Sequence, residues 1–166
     1  TVMNTDAKPI LVIGGGIAGM TSALEAAEVG HPVVLVEKEP FLGGRVMRTH
    51  RYFPKMCPPT CGFEINTRRP RQNPLITVHT LSEVTEIVDR GRGFRATIQI
   101  KPRYVSGKVA LDESATEGLE ASRPDDFNWG MGMTKAMYLP HERAYPPTYV
   151  IDNEALTDSD ADIIRE

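Results

Sequence analysis

The sequence predicts an α/β fold that begins with a strand, a helix and a second, parallel strand. Four consecutive apolar residues precede a glycine-rich turn, and apolar residues at helical spacing follow that turn. A second apolar run then ends at an acidic side chain. The chain of 166 residues is long enough for one hydrophobic core, and 40% hydrophobic with 25% charged residues is typical of a globular protein.

Each element of this unit has its own signal. A strand is predicted at residues 9–14, where an unbroken apolar run is typical of a parallel strand buried on both faces. A helix is predicted at 17–29, and Gly30 is a suitable residue to end it. The second strand is predicted at 33–36, so the βαβ unit is complete within about 30 residues.

Three more strands are predicted after an irregular stretch, rich in Pro, Arg and Cys, that extends to Pro74. The first covers residues 75–80. The next two, 83–89 and 94–100, flank a Gly-containing turn and are predicted to pair as a hairpin. Because residues 94–100 alternate between apolar and polar side chains, one face of that strand is expected to meet water.

The remaining residues carry weaker patterns. Residues 105–126 are polar and acidic, whereas 127–150 are rich in aromatic residues, Met and Pro and are expected to pack irregularly. A terminal acidic helix is predicted at 155–166, with Thr157 or Asp158 as its N-cap. Five large side chains are assigned to the core or to a subunit contact: Trp129, Met131, Met133, Met137 and Tyr138.

The net charge of −3 gives no reason to expect nucleic acid as a partner. The charges are uneven, with seven Lys or Arg against one acid in residues 41–74 and six acids against one Arg in 152–166. The basic segment could bind phosphates or an acidic partner, or form a solvated face. No apolar run approaches the roughly 18 residues of a membrane span, and the N-terminus lacks a signal-peptide pattern, so a cytoplasmic location is expected.

The glycine-rich turn has the spacing G-x-G-x-x-G, which alone is a weak signal. Here it follows a predicted strand, opens a predicted helix and is followed by Glu37 at the end of the next strand. The glycines allow a tight turn, the approach of a pyrophosphate and close helix packing, and the helix N-terminus offers N–H groups to phosphates. The alternative is a structural turn with a surface acid. The contact residues predicted here are Gly14, Gly16, Ile17, Ala18 and Gly19.

Glu37 is predicted to accept hydrogen bonds from the adenosine ribose, and its charge disfavours the 2′-phosphate of NADP. Its neighbour Lys38 is included in the site, although its position is also typical of a surface residue. The sequence Gly43-Gly44-Arg45 follows, and this E-x5-G-G-R arrangement resembles the second FAD-contacting motif of the two-dinucleotide-binding flavoproteins. The predicted hairpin likewise resembles their β-meander. FAD is therefore predicted rather than NAD, with Arg45 as a phosphate contact.

Longer peptides carry a more specific resemblance. They are VIGGGIAGMTSALEAAEVG, VEKEPFLGGRV, YFPKMCPPTCGFEIN, KPRYV, RPDDFNWG and TKAMYLPHERAYPPTYVID. From about residue 10 to 152, the chain is similar to the A subunit of heterodisulfide reductase, which is a flavoprotein. It is also similar to the A subunits of the sulfur-oxidising heterodisulfide-reductase-like complex and of the quinone-interacting membrane-bound oxidoreductase.

This resemblance implies an FAD-dependent oxidoreductase subunit that transfers electrons in sulfur or anaerobic energy metabolism. The chemistry would then take place on the flavin, without a catalytic side chain. The implied partners are other subunits of such a complex, with a homodimer as a further option and membrane contact only through the complex.

Two departures from the family pattern bear on this implication. Relatives carry a ferredoxin-like C-x2-C-x2-C-x3-C-P run, but other residues occupy those places here. The chain also lacks the late Gly-Asp pair of the two-dinucleotide fold, which implies a half-site. Either further sequence or another chain completes this site, or the domain binds flavin weakly or binds only its ADP half. The alternative function is therefore a non-catalytic paralogue that acts in assembly or regulation. The substituted places are Val109, Asp112, Ala115, Leu119 and Glu120.

Cys57 and Cys61, in the peptide CPPTCG, leave three alternatives open. They could ligate an iron–sulfur cluster completed by other residues or chains, form a redox pair near the flavin, or be inert thiols. Zinc is less expected, because neither His50 nor His79 has a typical zinc spacing. His141 lies in a peptide that resembles the family, so it could approach the flavin, although an isolated histidine is usually structural or exposed.

The predicted organisation has three parts. Residues 8–104 form a Rossmann-like FAD-binding domain with a β-hairpin or meander insertion, of the two-dinucleotide-binding type. Residues 105–126 form an acidic, degenerate ferredoxin-like loop. Residues 127–166 form the irregular segment and the terminal helix, and the C-terminal part of the fold is expected to be incomplete.

Overall fold

The computed structural model describes residues 8–51, 53–105 and 116–165. The chain divides into two compact units, Thr1–Pro102 and Arg103–Glu166. The division into 8–104, 105–126 and 127–166 stays a prediction. Three of the substituted cluster places, Val109, Asp112 and Ala115, lie outside the described residues.

The first unit contains a parallel sheet of three strands in the order β1-β2-β3. The strands are β1 (Ile10–Ile13), β2 (Val33–Val36) and β3 (Ile76–His79). Helix α1 (Ile17–Glu28) connects the first two strands. The predicted βαβ unit and the predicted third strand are therefore confirmed.

Small side chains allow α1 to lie close to the sheet. Ala23 and Ala27 of the helix pack with Val33 of β2 in one buried cluster. The prediction that β1 is buried on both faces is wrong, because Ile10 and Ile13 are 40% and 60% exposed. Among the described strands, β1 lies at the edge of the sheet and pairs with β2 alone. It therefore has a neighbouring strand on one side only, whereas a central strand is flanked on both sides.

A second helix, α2 (Thr60–Gln72), occupies part of the stretch that was predicted to be irregular. Pro59 precedes it at the N-cap, where a missing N–H group costs little. Phe63, Thr67 and Pro70 are buried, at spacings of four and three residues that place them on one face of the helix. The prediction was wrong here because Pro70 inside the segment is a strong signal against a helix.

The hairpin of the first unit agrees with the prediction. Strands β4 (Ser82–Asp89) and β5 (Phe94–Ile100) are antiparallel, with a bulge between Val84 and Glu86. Large apolar side chains on this hairpin are exposed: Ile87, Phe94 and Ile100.

The second unit contains two short antiparallel pairs and a helix. Strand β6 (Ser122–Pro124) pairs with β7 (Met133–Lys135), and β8 (Met137–Tyr138) pairs with β9 (Val150–Ile151). The expectation of irregular structure between 127 and 150 is therefore wrong in part. Met137 lies in the core, as expected, with Leu119, Tyr149 and Ile151. Three of the five side chains assigned to a core or contact are exposed: Trp129, Met131 and Met133.

Helix α3 (Asp158–Arg165) begins with a capping box. The Asp160 N–H donates to Thr157 Oγ1 at 3.2 Å, and the Thr157 N–H donates to Asp160 Oδ2 at 3.3 Å, so Thr157 is confirmed as the N-cap. The buried Asp160 carboxylate also accepts the backbone N–H groups of Glu120 and Ala121. These bonds, above all the one from the Thr157 hydroxyl, lower the pKa of Asp160.

Within the described ranges, none of the helices combines the length and the apolar character that crossing a bilayer requires.

Candidate dinucleotide-binding site

The glycine-rich turn lies at the carboxyl end of β1, where ligands bind in open parallel sheets. Gly16 is the N-cap of α1, and Ile17 and Ala18 at the start of the helix are exposed. Apart from Gly16 and its two chain neighbours, none of the described atoms lies within 4 Å of the position that a Cβ on Gly16 would take. Open space therefore lies beside Gly16 at the N-terminus of α1, where a phosphate would be favoured by the N–H groups of the first turn.

Gly19 has the opposite surroundings. A Cβ on Gly19 would lie 1.8 Å from the backbone oxygen of Gly14. Only glycine allows α1 to approach β1 this closely, which is the packing that the motif predicts for its third glycine.

The second glycine motif docks on the first. The Gly43 N–H donates to the Gly15 oxygen at 2.8 Å, and Gly16 and Gly43 form a parallel bridge. Gly43 has a φ of +114°, which favours glycine, and a Cβ there would lie 2.6 Å from Cε2 of Phe63. The structure thus brings together the two motifs that the sequence predicts as cofactor contacts, with Arg45 exposed beside them.

Glu37 lies directly after β2 and is 6% exposed. Its Oε2 accepts the Gly15 N–H at 2.5 Å, and its Oε1 accepts the Glu39 N–H at 2.8 Å. Each carboxylate oxygen has two lone pairs, so both oxygens keep the capacity to accept a further hydrogen bond. The carboxylate is therefore oriented before a ligand arrives. Lys38, in contrast, is exposed.

An ion pair beside this carboxylate was not predicted from the sequence. Arg48 Nη2 lies 3.1 Å from Glu39 Oε2, and the Arg48 guanidinium lies over the Phe41 ring at 5.8 Å from its centroid. A spacing of nine residues across a turn has no periodic signal, so the sequence alone does not indicate this pair.

The geometry of the turn fits the ADP half of FAD. Gly16 leaves room for a pyrophosphate at the N-terminus of α1, and Glu37 presents a preoriented carboxylate of the kind that binds ribose hydroxyls. The assignment of individual contact residues stays a prediction.

The two cysteines lie near the start of α2. Cys61 is exposed in the first turn of the helix, and Cys57 is half-buried in the preceding loop. Both are free thiols in the described structure. Within the described residues, no group of three or more His, Cys, Asp or Glu side chains is arranged to hold a metal ion, and His50 and His79 supply no such group. A cluster or redox role for the cysteines therefore stays a prediction that needs ligands or partners from elsewhere.

His141 and Leu119 lie in the second unit. His141 stacks on Phe127 with 5.1 Å between ring centroids, and burial lowers its pKa to about 4. Its approach to a flavin stays a prediction. Leu119 stands where the family that the sequence resembles has the fourth cysteine of its ferredoxin-like run. It is 3% exposed and lies in the core of this unit.

Comparison with known families places these features in a class. Residues 9–112 match the model of the family described as FAD dependent oxidoreductase. The chain belongs to this family of FAD-dependent oxidoreductases. The predictions of an α/β FAD-binding fold and of FAD as the cofactor are therefore confirmed.

Two curated relatives narrow the class. The second iron–sulfur A subunit of the CoB–CoM heterodisulfide reductase of Methanopyrus kandleri is 37% identical over 148 residues, which are 85% of this chain and 22% of the relative. The A subunit of the ferredoxin/F420H2-dependent CoB–CoM heterodisulfide reductase of Methanosarcina acetivorans is 35% identical over 148 residues, or 86% and 18% of the two chains. The chain thus spans about a fifth of the length of these relatives.

These matches confirm the predicted resemblance to the A subunit of heterodisulfide reductase. They favour an oxidoreductase subunit over the alternative of an assembly or regulatory paralogue.

Among solved structures, the L-proline dehydrogenase from P. horikoshii is similar to this chain with a TM-score of 0.48 and 20% sequence identity. The similar region covers 58% of this chain and 20% of the dehydrogenase chain.

Proposed function

We propose that the chain is the FAD-binding part of an electron-transfer subunit in a heterodisulfide-reductase-like complex. One observation carries this proposal. The Gly43-Gly44 motif docks on Gly16 beside the oriented carboxylate of Glu37, so the predicted cofactor contacts lie together in space. A merely structural turn would not require an open N-terminus on α1 together with an acid at the end of β2.

Each part of the site has a role in binding. The N–H groups at the start of α1 hold the pyrophosphate, with Gly16 giving room for it, and Glu37 accepts hydrogen bonds from the ribose hydroxyls. Arg45 contributes an exposed positive charge beside the second motif. Bound flavin supplies hydride and electron transfer, which side chains of the protein do not provide.

The proposed partners are other subunits of such a complex. The relatives support this, because they are themselves subunits of heterodisulfide reductases. We also propose a cytoplasmic location, membrane contact only through the complex, and a role in sulfur or anaerobic energy metabolism. A homodimer is a further option. We further propose that Cys57 and Cys61 either ligate an iron–sulfur cluster that other residues or chains complete, or form a redox pair near the flavin. Iron well below stoichiometric amounts after anaerobic isolation with the partners would count against the cluster.

FAD binding by the full chain tests the proposal. We expect yellow protein with about one flavin per chain, and a Gly16→Ala variant that loses at least about tenfold in ADP affinity, because the new methyl group occupies the phosphate's space. Its melting temperature should stay unchanged, since the Cβ enters open space. Gly132→Ala is the matched control, because its Cβ would make only an ordinary contact with Asn128 at 3.8 Å.

A colourless chain that binds neither FAD nor ADP, yet still associates with the partner subunits, would contradict the proposed function. That result would restore the assembly or regulatory alternative.

A further inference from the structure

Glu39 donates one of the two hydrogen bonds that orient the Glu37 carboxylate. Its N–H donates to Glu37 Oε1 at 2.8 Å, and its backbone oxygen accepts the Leu81 N–H at 3.1 Å. Its own side chain then pairs with Arg48 at 3.1 Å. Glu39 is therefore fixed at its N–H, its carbonyl and its carboxylate, and the position of its N–H helps to set where Oε1 of Glu37 points.

Arg48 is well placed to act through this pair. Its side chain is 14% exposed, so the ion pair with Glu39 is less screened by water than a surface pair. The guanidinium also lies over the ring of Phe41, which is almost fully buried. A planar guanidinium held between a carboxylate and an aromatic ring has little freedom to move, and lysine reproduces this arrangement poorly.

Arg48 also belongs to the element that carries the second glycine motif. It is the last residue of the 3₁₀ helix Gly44–Arg48, which begins directly after Gly43. The N-terminal end of this short helix lies against Gly16, and its C-terminal end holds Glu39. One short element thus links the phosphate side of the candidate site to the ribose side.

We propose that Arg48 is a positioning residue that, through Glu39, holds the Glu37 carboxylate in the orientation that recognises a ribose 2′-hydroxyl. This inference rests on the proposed function, because it assigns a role within the same nucleotide site. Arg48 makes no contact with the nucleotide in this role. Its effect is on which nucleotide is preferred, in addition to any effect on stability.

The test compares ADP with 2′-deoxy-ADP, measured by calorimetry on the full chain. We expect the wild type to prefer ADP by about tenfold, the value of one hydrogen bond to a charged group. Arg48→Met should reduce this preference severalfold, and Arg48→Lys should restore only part of it. Glu39→Gln should have the same effect as Arg48→Met, and the double variant should show no further loss, because both act through one contact. Arg95→Met, which removes an exposed arginine from β5, is the matched control.

Amide hydrogen exchange gives a second measurement that needs no ligand. In Arg48→Met the N–H groups of Gly15 and Glu39, which donate to Glu37, should exchange faster than in the wild type. An unchanged ADP preference together with unchanged exchange at these two amides would overturn the role of Arg48. If the wild type binds no ADP, the proposed function fails. The exchange rates of the Gly15 and Glu39 amides then decide alone whether Arg48 positions the Glu37 carboxylate.

Discussion

Gly16 and Gly19 lie in the same turn but differ in what surrounds them. The space beside Gly16 is open, whereas a Cβ on Gly19 would collide with the backbone oxygen of Gly14. The spacing of the motif predicts both features, since one glycine serves the ligand and the other serves the packing of α1 on β1. Substitutions at the two positions should therefore separate binding from stability.

Gly19→Ala should destabilise the first unit by roughly 1–3 kcal/mol, because α1 or the turn must shift to relieve the collision. Chemical denaturation monitored by circular dichroism measures this change as a lower transition midpoint. Gly132→Ala should leave the midpoint in place. An unchanged midpoint for Gly19→Ala would show that the helix can move away from the strand at little cost.

Glu37→Gln should weaken ADP binding by about tenfold. The amide group of glutamine replaces one carboxylate oxygen by a donor, which faces either the Gly15 N–H or the Glu39 N–H and loses that bond. Loss of the charge should also narrow the preference for ADP over adenosine 2′,5′-bisphosphate. Calorimetry on both nucleotides checks these effects, with Glu25→Gln, an exposed glutamate of α1, as the control. Equal affinities for ADP in the wild type and in Glu37→Gln would remove Glu37 from the site.

At the scale of elements, local patterns predict the first unit well up to β2 and again from β3 to β5. The run at 33–36 and the alternation at 94–100 match strands with the same bounds. The sequence does not predict helix α2, because Pro70 inside the segment outweighs the helical spacing of the buried residues Phe63 and Thr67. Tertiary packing of these residues overrides the low helix propensity of the segment.

Phe63 shows why this helix matters to the site. Phe63 is 2% exposed, and its ring lies against Gly43, so α2 supports the second glycine motif. Phe63→Ala should lower the free energy of unfolding by roughly 3–5 kcal/mol and weaken FAD binding, because Gly43 loses its support. Phe53→Ala is the control, since that ring is 86% exposed and its removal should change stability by no more than about 0.5 kcal/mol. Equal stability of the two variants would contradict the supporting role.

At the scale of the whole molecule, the sequence predicts which residues bear on the nucleotide but not how they are held. Glu37 and the two glycine motifs carry spacing signals, so they can be predicted. The Arg48–Glu39 pair and the contact between Gly43 and Gly15 have no such signal, because they depend on how a turn and a 3₁₀ helix fold back. The same holds for Asp160, whose bonds to Glu120 and Ala121 join distant parts of the second unit.

The pH dependence of unfolding should report on His141. Burial lowers its native pKa to about 4, whereas an unfolded histidine titrates near 6.5. Between these values the unfolded chain binds a proton that the native protein does not, so stability should fall as the pH is lowered from 6.5 to 4. Denaturant unfolding at pH 7 and pH 4.5 measures the difference. His141→Gln should reduce it, and His31→Gln, at an exposed position, should not. An equal difference in both variants would exclude His141 as its source.

Leu119 has a consequence for how the core of the second unit forms. A cysteine at that place could serve a cluster, and a fold that depends on a cluster depends on iron supply and on protection from oxygen. The leucine instead contributes its side chain to a core with Met137, Tyr149 and Ile151, which forms by excluding water. The core around Leu119 therefore needs no iron–sulfur cluster at this position in order to fold.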